Sequence, residues 1–226
     1  MKENGKKSIT AEELKKETKE TVNQVKDTIK NADIKNEAKE TKSFLKEMLI
    51  DPFSPLKKAA EGDKNIFKKA VILIICLIAL SVINRIVFLF EIGGYSSAQR
   101  NIMQIVASVL NPLIDIIVPA IIILIINKNA KKSLTSIIST LTIATVPSGI
   151  NYIINIIDLL FVTDISIITN PIATTLSVIT IVLTYVGMKT IFEIKENKDF
   201  IRKFGLIYVL TELISIIISN LLRIGL

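Results

Sequence analysis

Four ionisable side chains stand inside long apolar runs: Arg85, Asp115, Asp158 and Glu212. A bare charge near the centre of a bilayer costs at least about 2.5–3.5 kcal/mol, so such residues require partners. Counting about 1.5 Å per residue from one membrane face places Arg85, Asp115 and Glu212 within about 10 Å of one another in depth. The expectation is an intramembrane charge network in which Arg85 pairs with Asp115 or Glu212. Asp158 and Arg223 fall near the opposite interface, where long side chains reach water cheaply. Two aspartates at membrane depth also raise intramembrane proteolysis, but Asp115 and Asp158 stand in no motif of that kind.

The other ingredients of catalysis are sparse. The chain holds no histidine and no tryptophan, which removes the commonest general base and the commonest metal ligand. Its one cysteine, Cys76, lies within the first apolar run; it has no disulfide partner and reads as a helix-packing residue. No GxxxxGK[ST], GxGxxG, HExxH, CxxC or GxSxG pattern occurs. The neighbouring carboxylates Glu193, Glu196 and Asp199 share a short loop with lysines and read as a solvated surface. No enzymatic activity, cofactor or metal is expected.

These residues are held by a chain that is 50% hydrophobic and 22% charged, and the two classes are segregated. Residues 1–69 carry 17 Lys and 13 Asp/Glu. Beyond Lys69 come runs at roughly 70–90, 102–126, 134–162, 166–188 and 204–222, each near or above the ~20 residues that cross a bilayer. The fold expected is an all-α polytopic bundle of about five spans. It divides into a Lys/Glu-rich tail (1–50), a juxtamembrane turn and basic segment (51–69) and a membrane domain (70–226). The first apolar run begins too deep in the chain for a cleavable signal. The third run is long for one straight span and contains Val146-Pro147-Ser148-Gly149, so a kink or break is expected at Pro147 and Gly149. Lys128, Lys131 and Lys132, and Lys189, Lys195, Lys198, Arg202 and Lys203, occupy two loops that five spans place on the side of the tail. The positive-inside rule puts the N-terminus in the cytoplasm and the C-terminus outside.

The tail reads as helix-prone. Val22, Val25, Ile29 and Ala32 recur at helical spacing, a narrow stripe suited to a solvated or partly disordered helix, with a dimerisation seam as the lesser alternative. The first 50 residues carry 12 Lys against 10 acids, so no basic field exists to hold nucleic acid. Phe44–Ile50 is denser in apolar residues and reads as a helix touching the membrane surface. Asp51-Pro52-Phe53-Ser54-Pro55 then stops it in an extended turn. Lys57, Lys58, Lys64, Lys68 and Lys69 follow, a cluster that favours anionic lipid by about 1 kcal/mol per Lys near the surface.

Polar residues within the runs share faces. Asn101, Gln104, Ser108, Asn111 and Asp115 step by three or four. So do Ser133, Ser136, Thr140, Ala144, Ser148, Asn151, Asn155 and Asp158. Asn170, Ala173, Ser177, Thr180, Thr184 and Gly187 form a third set, and Gly205, Tyr208, Thr211, Glu212, Ser215, Ser219 and Arg223 a fourth, with a shorter patch of Ser81, Asn84 and Arg85 on the first run. Such stripes serve either as close-packing seams or as the lining of a hydrated path. Their Ser, Thr, Ala and Asn content favours packing.

The turn Asp51–Pro55 ahead of the first run, Pro147 in the third and Val186-Gly187-Met188-Lys189 at the end of the fourth resemble the YIP (Ypt/Rab-interacting protein) domain family, its bacterial branch in particular. Asp51, Phe53, Ser54 and Pro55 are similar to the Asp-Leu-Tyr-Gly-Pro motif of the eukaryotic branch. The resemblance covers residues 45–226 and lacks the family's Gly-Tyr element near the third-span proline. It implies a five-span membrane protein. The leading expectation is a YIP-like, non-enzymatic protein of the bacterial cell membrane that organises membrane or protein partners, with residues 8–50 and Asp51, Phe53 and Pro55 as a docking surface. A small-solute or ion permease using the polar faces is the alternative, and a membrane-anchored sensor a third.

Overall fold

The computed structural model describes residues 11–30, 34–94, 97–126, 132–160, 166–193 and 197–224. Every regular element among them is a helix: α1 (Ala11–Lys30), α2 (Ile34–Ile50), α3 (Phe53–Glu61), α4 (Lys64–Glu91), α5 (Ala98–Ile126), α6 (Leu134–Ala144), α7 (Val146–Leu160), α8 (Ser166–Phe192) and α9 (Asn197–Ile224). Among the described residues four stretches are long and apolar enough to cross a membrane: α4, α5, α6 with α7, and α8. Helices satisfy their own backbone groups, which hydrocarbon demands of any spanning segment. The chain is therefore an all-α, multi-pass membrane protein. The fifth expected span falls on α9, 28 residues long and packed along α5.

The long third segment is one span with a one-residue break. Pro147 has no N–H for the Ile143 carbonyl. The Thr145 N–H turns back to Leu141 O at 3.0 Å and Thr142 O at 3.2 Å, and the ladder resumes where Ser148 N–H meets Thr145 O at 3.0 Å. Gly149, expected at the kink, has a different task. A Cβ there would lie 2.5 Å from Leu77 Cδ2, so the missing side chain is what lets α7 approach α4.

One end of the bundle gathers the lysines. Lys132 Nζ lies 3.2 Å from Glu193 Oε1, joining the start of α6 to the end of α8. Beneath it Leu124, Leu134, Ile137, Met188, Ile191 and Phe200 are buried together. Tyr185 meets Phe200 and Phe204 edge-on at ring separations of 4.9 and 5.4 Å, an arrangement that suits ring quadrupoles.

Among the described residues the tail is helical and packs against this end, α1 on α4 and α6 and α2 on α3 and α4, with most α1 side chains solvated as expected. α1 turns Glu17 and the buried Thr21 inward and leaves Val22 and Ile29 exposed. Its apolar stripe is thus not what it buries, because polar capping at α6 decides the face; Ala32 lies outside the described residues. α2 buries Phe44 and Met48 among α4, α6 and α8.

The Asp51–Pro55 segment is not an extended turn but the start of α3. Asp51 Oδ1 accepts from the Phe53 and Ser54 amides at 3.0 and 3.3 Å. An aspartate capping the helix with proline just behind it is a favourable opening, since Pro52 lacks the N–H that the first turn would leave unpaired. α3 wedges between α6 and α8, with Leu56, Ala59 and Ala60 fully buried, and ends at Gly62 (φ +89°) in a left-handed cap.

Candidate functional site

Among the described residues, two cavities within the spanning bundle gather the intramembrane charges. The inner one, about 270 Å³, is a cleft between α8 and α9 floored by α5, α6 and α7. Asp115 and Glu212 both line it, with Ser148, Thr180, Thr184 and Thr211. No basic side chain is among its lining residues. Pro119 also borders the cleft and cannot give an N–H to the Asp115 carbonyl one turn earlier, so that backbone oxygen is left free of its helical bond. Both carboxylates are exposed, because α8 and α9 touch only briefly and the cleft opens sideways.

The outer cavity, about 310 Å³, lies among α4, α5 and α7. Arg85 and Asp158 line it with Asn84, Asn111, Tyr152 and Asn155. The Arg85 guanidinium stacks 5.2 Å above the Phe88 ring, and the Tyr152 and Ser81 hydroxyls are hydrogen-bonded. Among the described residues Asn84 Oδ1 is buried without a partner. Asp158 Oδ1 accepts from Thr169 Oγ1 at 3.2 Å, tying α7 to α8.

The expected network therefore divides. Asp115 and Glu212 share one cleft; Arg85 lines the other cavity, and among the described residues no ion pair links it to either. Two features separate them: among the described residues α4 touches neither α8 nor α9, which keeps Arg85 from Glu212, and Asp115, although on the neighbouring α5, lines the α8–α9 cleft while Arg85 lines the cavity among α4, α5 and α7. Equal depth was insufficient, because depth does not say which helices are neighbours.

The polar stripes are largely spent on packing. Ser148 Oγ meets Thr180 Oγ1 at 3.1 Å, and Asn151 Nδ2 donates to Ala173 O and Ser177 Oγ, both at 3.4 Å. Thr140, Thr174, Ser177, Thr180, Thr184 and Thr211 each donate to the carbonyl four residues back. A hydroxyl satisfied in this way needs no water. Gly187 allows close approach: a Cβ there would lie 2.6 Å from Thr140 Cγ2 and 3.3 Å from Leu56 Cδ1.

The docking turn is only partly available. Asp51 is engaged as a cap, Pro55 is buried, and Phe53 alone of the three side chains is both apolar and exposed. Of the basic cluster, Lys58 bridges to Glu47 at 3.7 Å and Lys69 sits 5.0 Å above the Phe44 ring. Lys64 and Lys68 border a cavity of about 510 Å³ shared with Gln24, Asp27 and Ser133, and Lys57 is exposed. Cys76 is exposed on the surface of α4.

Sequence reading missed Glu17. Its carboxylate caps α6 by accepting from the Leu134 amide at 2.6 Å, beside the local cap in which Ser133 Oγ accepts from the Ser136 amide at 3.3 Å. The start of α6 signalled an unpaired set of amides, but nothing local named a residue 117 positions away.

Compared with known proteins, the chain matches no family model, no curated protein and no solved structure.

Proposed function

We propose that this chain is a YIP-like, non-enzymatic protein of the bacterial cytoplasmic membrane that organises protein partners and lipid around it, with its N-terminus in the cytoplasm. The observation that carries this reading is the tail. α1, α2 and α3 form a fixed platform on the lysine-bearing end, tied by Glu17 to Leu134 and by Phe44, Met48 and Leu56 to the core. A platform held in one pose presents the same surface at every encounter, which lowers the ordering cost of binding. The surface offered to a protein is the outer face of α1, where Val22 is 45% and Ile29 54% exposed among lysines and acids.

Transport is the weaker reading. The inner cleft ends toward the lysines at Leu141, Met188, Phe204 and Ile207, behind which Tyr185, Phe192 and Phe200 are packed. One observation favours it as a second reading: two carboxylates and no cation line the cleft, an arrangement suited to a small cation.

A photo-crosslinker at Ile29 in living cells, read beside cation flux in proteoliposomes, separates the two. The organising reading expects a discrete protein adduct that Val22→Asp abolishes, and no flux above empty liposomes. Flux that disappears with Glu212→Gln, with no adduct at Ile29, would replace it with the permease.

A further inference from the structure

The turn joining α2 to α3 carries the two most exposed large apolar residues of the described platform, Leu49 at 76% and Ile50 at 87%, with Phe53 at 51% beside them. What covers them follows from their depth. The Phe44 ring lies beneath Lys69 Nζ, level with the last lysine before the apolar run of α4. Met48, one turn further along α2, shares a buried cluster with Leu56, Leu73, Ile143 and Leu183. Leu73 lies about 6 Å along α4 past Lys69, and Leu183 about 9 Å along α8 past Lys189. α3 slopes the same way. Its C-terminal Gly62 borders Ser136, whereas Leu56 meets the Gly187 and Thr140 level further along α6. Phe53, a turn earlier, is deeper still.

We infer that the α2–α3 turn is embedded in the lysine-bearing leaflet, with Leu49, Ile50 and Phe53 among its acyl chains. The depth, roughly 5–10 Å below the lysine level, is that of an in-plane amphipathic anchor. The charges fit this placement. Lys42, Lys46, Lys57 and Lys58 are exposed on the shallower turns of the same two helices, where their stems reach headgroups. Glu47 is neutralised by Lys58, and the Asp51 carboxylate is occupied by two amides. The turn is also continuous with lipid-facing surface, since α3 packs on α8, whose Val178 and Val182 are exposed. The inference rests on the membrane-spanning bundle alone, not on the organising role proposed above.

The chain has no tryptophan, so a single introduced one reports without background. Full-length Ile50→Trp, in liposomes of phosphatidylcholine and phosphatidylglycerol, should emit at short wavelength and be quenched by lipids brominated along the acyl chain. The extent should match Val182→Trp and exceed Val22→Trp several-fold, while aqueous acrylamide gives the reverse order. Phe53→Trp, a closer match in shape, gives the same reading if Ile50→Trp does not fold. Quenching of both reporters by acrylamide and not by brominated lipid overturns the proposal, because the turn is then in water. Quenching by neither also overturns it, because a protein surface then covers the turn. Loss of the Ile29 adduct or appearance of cation flux leaves it untouched.

Discussion

Glu17 and Leu134 are 117 positions apart, yet a Glu17 carboxylate oxygen accepts the Leu134 amide at 2.6 Å. The contact fixes where the tail lies, and it occurs at a helix N-terminus, where negative charge is favoured. Glu17→Ala should cost about 1 kcal/mol. Hydrogen exchange should then quicken along α1 and in the first turn of α6, while Lys16→Ala, whose side chain is 79% exposed, changes neither.

Gly187 and Gly149 predict unequal costs for one methyl group. Gly187→Ala meets the Cγ2 of Thr140, a stiff β-branched residue held by its bond to Ser136 O. It should lower stability by about 1–3 kcal/mol, and adding Thr140→Ser should recover most of the loss. Gly149→Ala meets the flexible end of Leu77 and should cost less. Thermal unfolding of the purified protein in detergent reads all three.

Asp51 is a cap, and Asp51→Ala should destabilise by about 1 kcal/mol while Asp51→Asn costs a few tenths. Leu56→Ala, which empties a site between α6 and α8, should cost about 2–5 kcal/mol. Equal, negligible effects of Asp51→Ala and Leu56→Ala in denaturant unfolding would contradict a packed α3.

The divided charges make a prediction for a double-mutant cycle. Arg85→Leu and Asp115→Leu should be additive within about 0.5 kcal/mol, as sites without a shared partner are. Asp115 and Glu212 repel across one cleft. Asp115→Asn alone should therefore raise stability by on the order of 1 kcal/mol, and Glu212→Gln should add little once Asp115 is neutral.

Orientation is checked by thiol labelling in a Cys76→Ala background. With the tail in the cytoplasm, a membrane-impermeant maleimide added to intact cells should label Ile92→Cys and spare Lys57→Cys. The converse pattern inverts the bundle.

The membrane class was legible in the sequence because long apolar runs have few other fates. The break at Pro147 was legible because a missing N–H acts locally. Capping by Asp51 was also within reach, since Asp followed by Pro opens helices, but two prolines were read as a stop. What could not be read was adjacency. Arg85 and Asp115 sit on faces that periodicity locates, yet which helix each face meets depends on how the helices pack, and that is decided by close approaches such as Gly149 to Leu77. The stripe Val22, Val25 and Ile29 misled for a related reason: α1 is placed by the charge of Glu17 rather than by its apolar side.

The wedging of α3 between α6 and α8 bears on the order of assembly during synthesis. The groove that receives Leu56 is made from Thr140 and Gly187, which leave the ribosome long after Leu56 itself. α3 must wait, unseated, until α8 has entered the bilayer, so this helix finds its place only after segments made well after it.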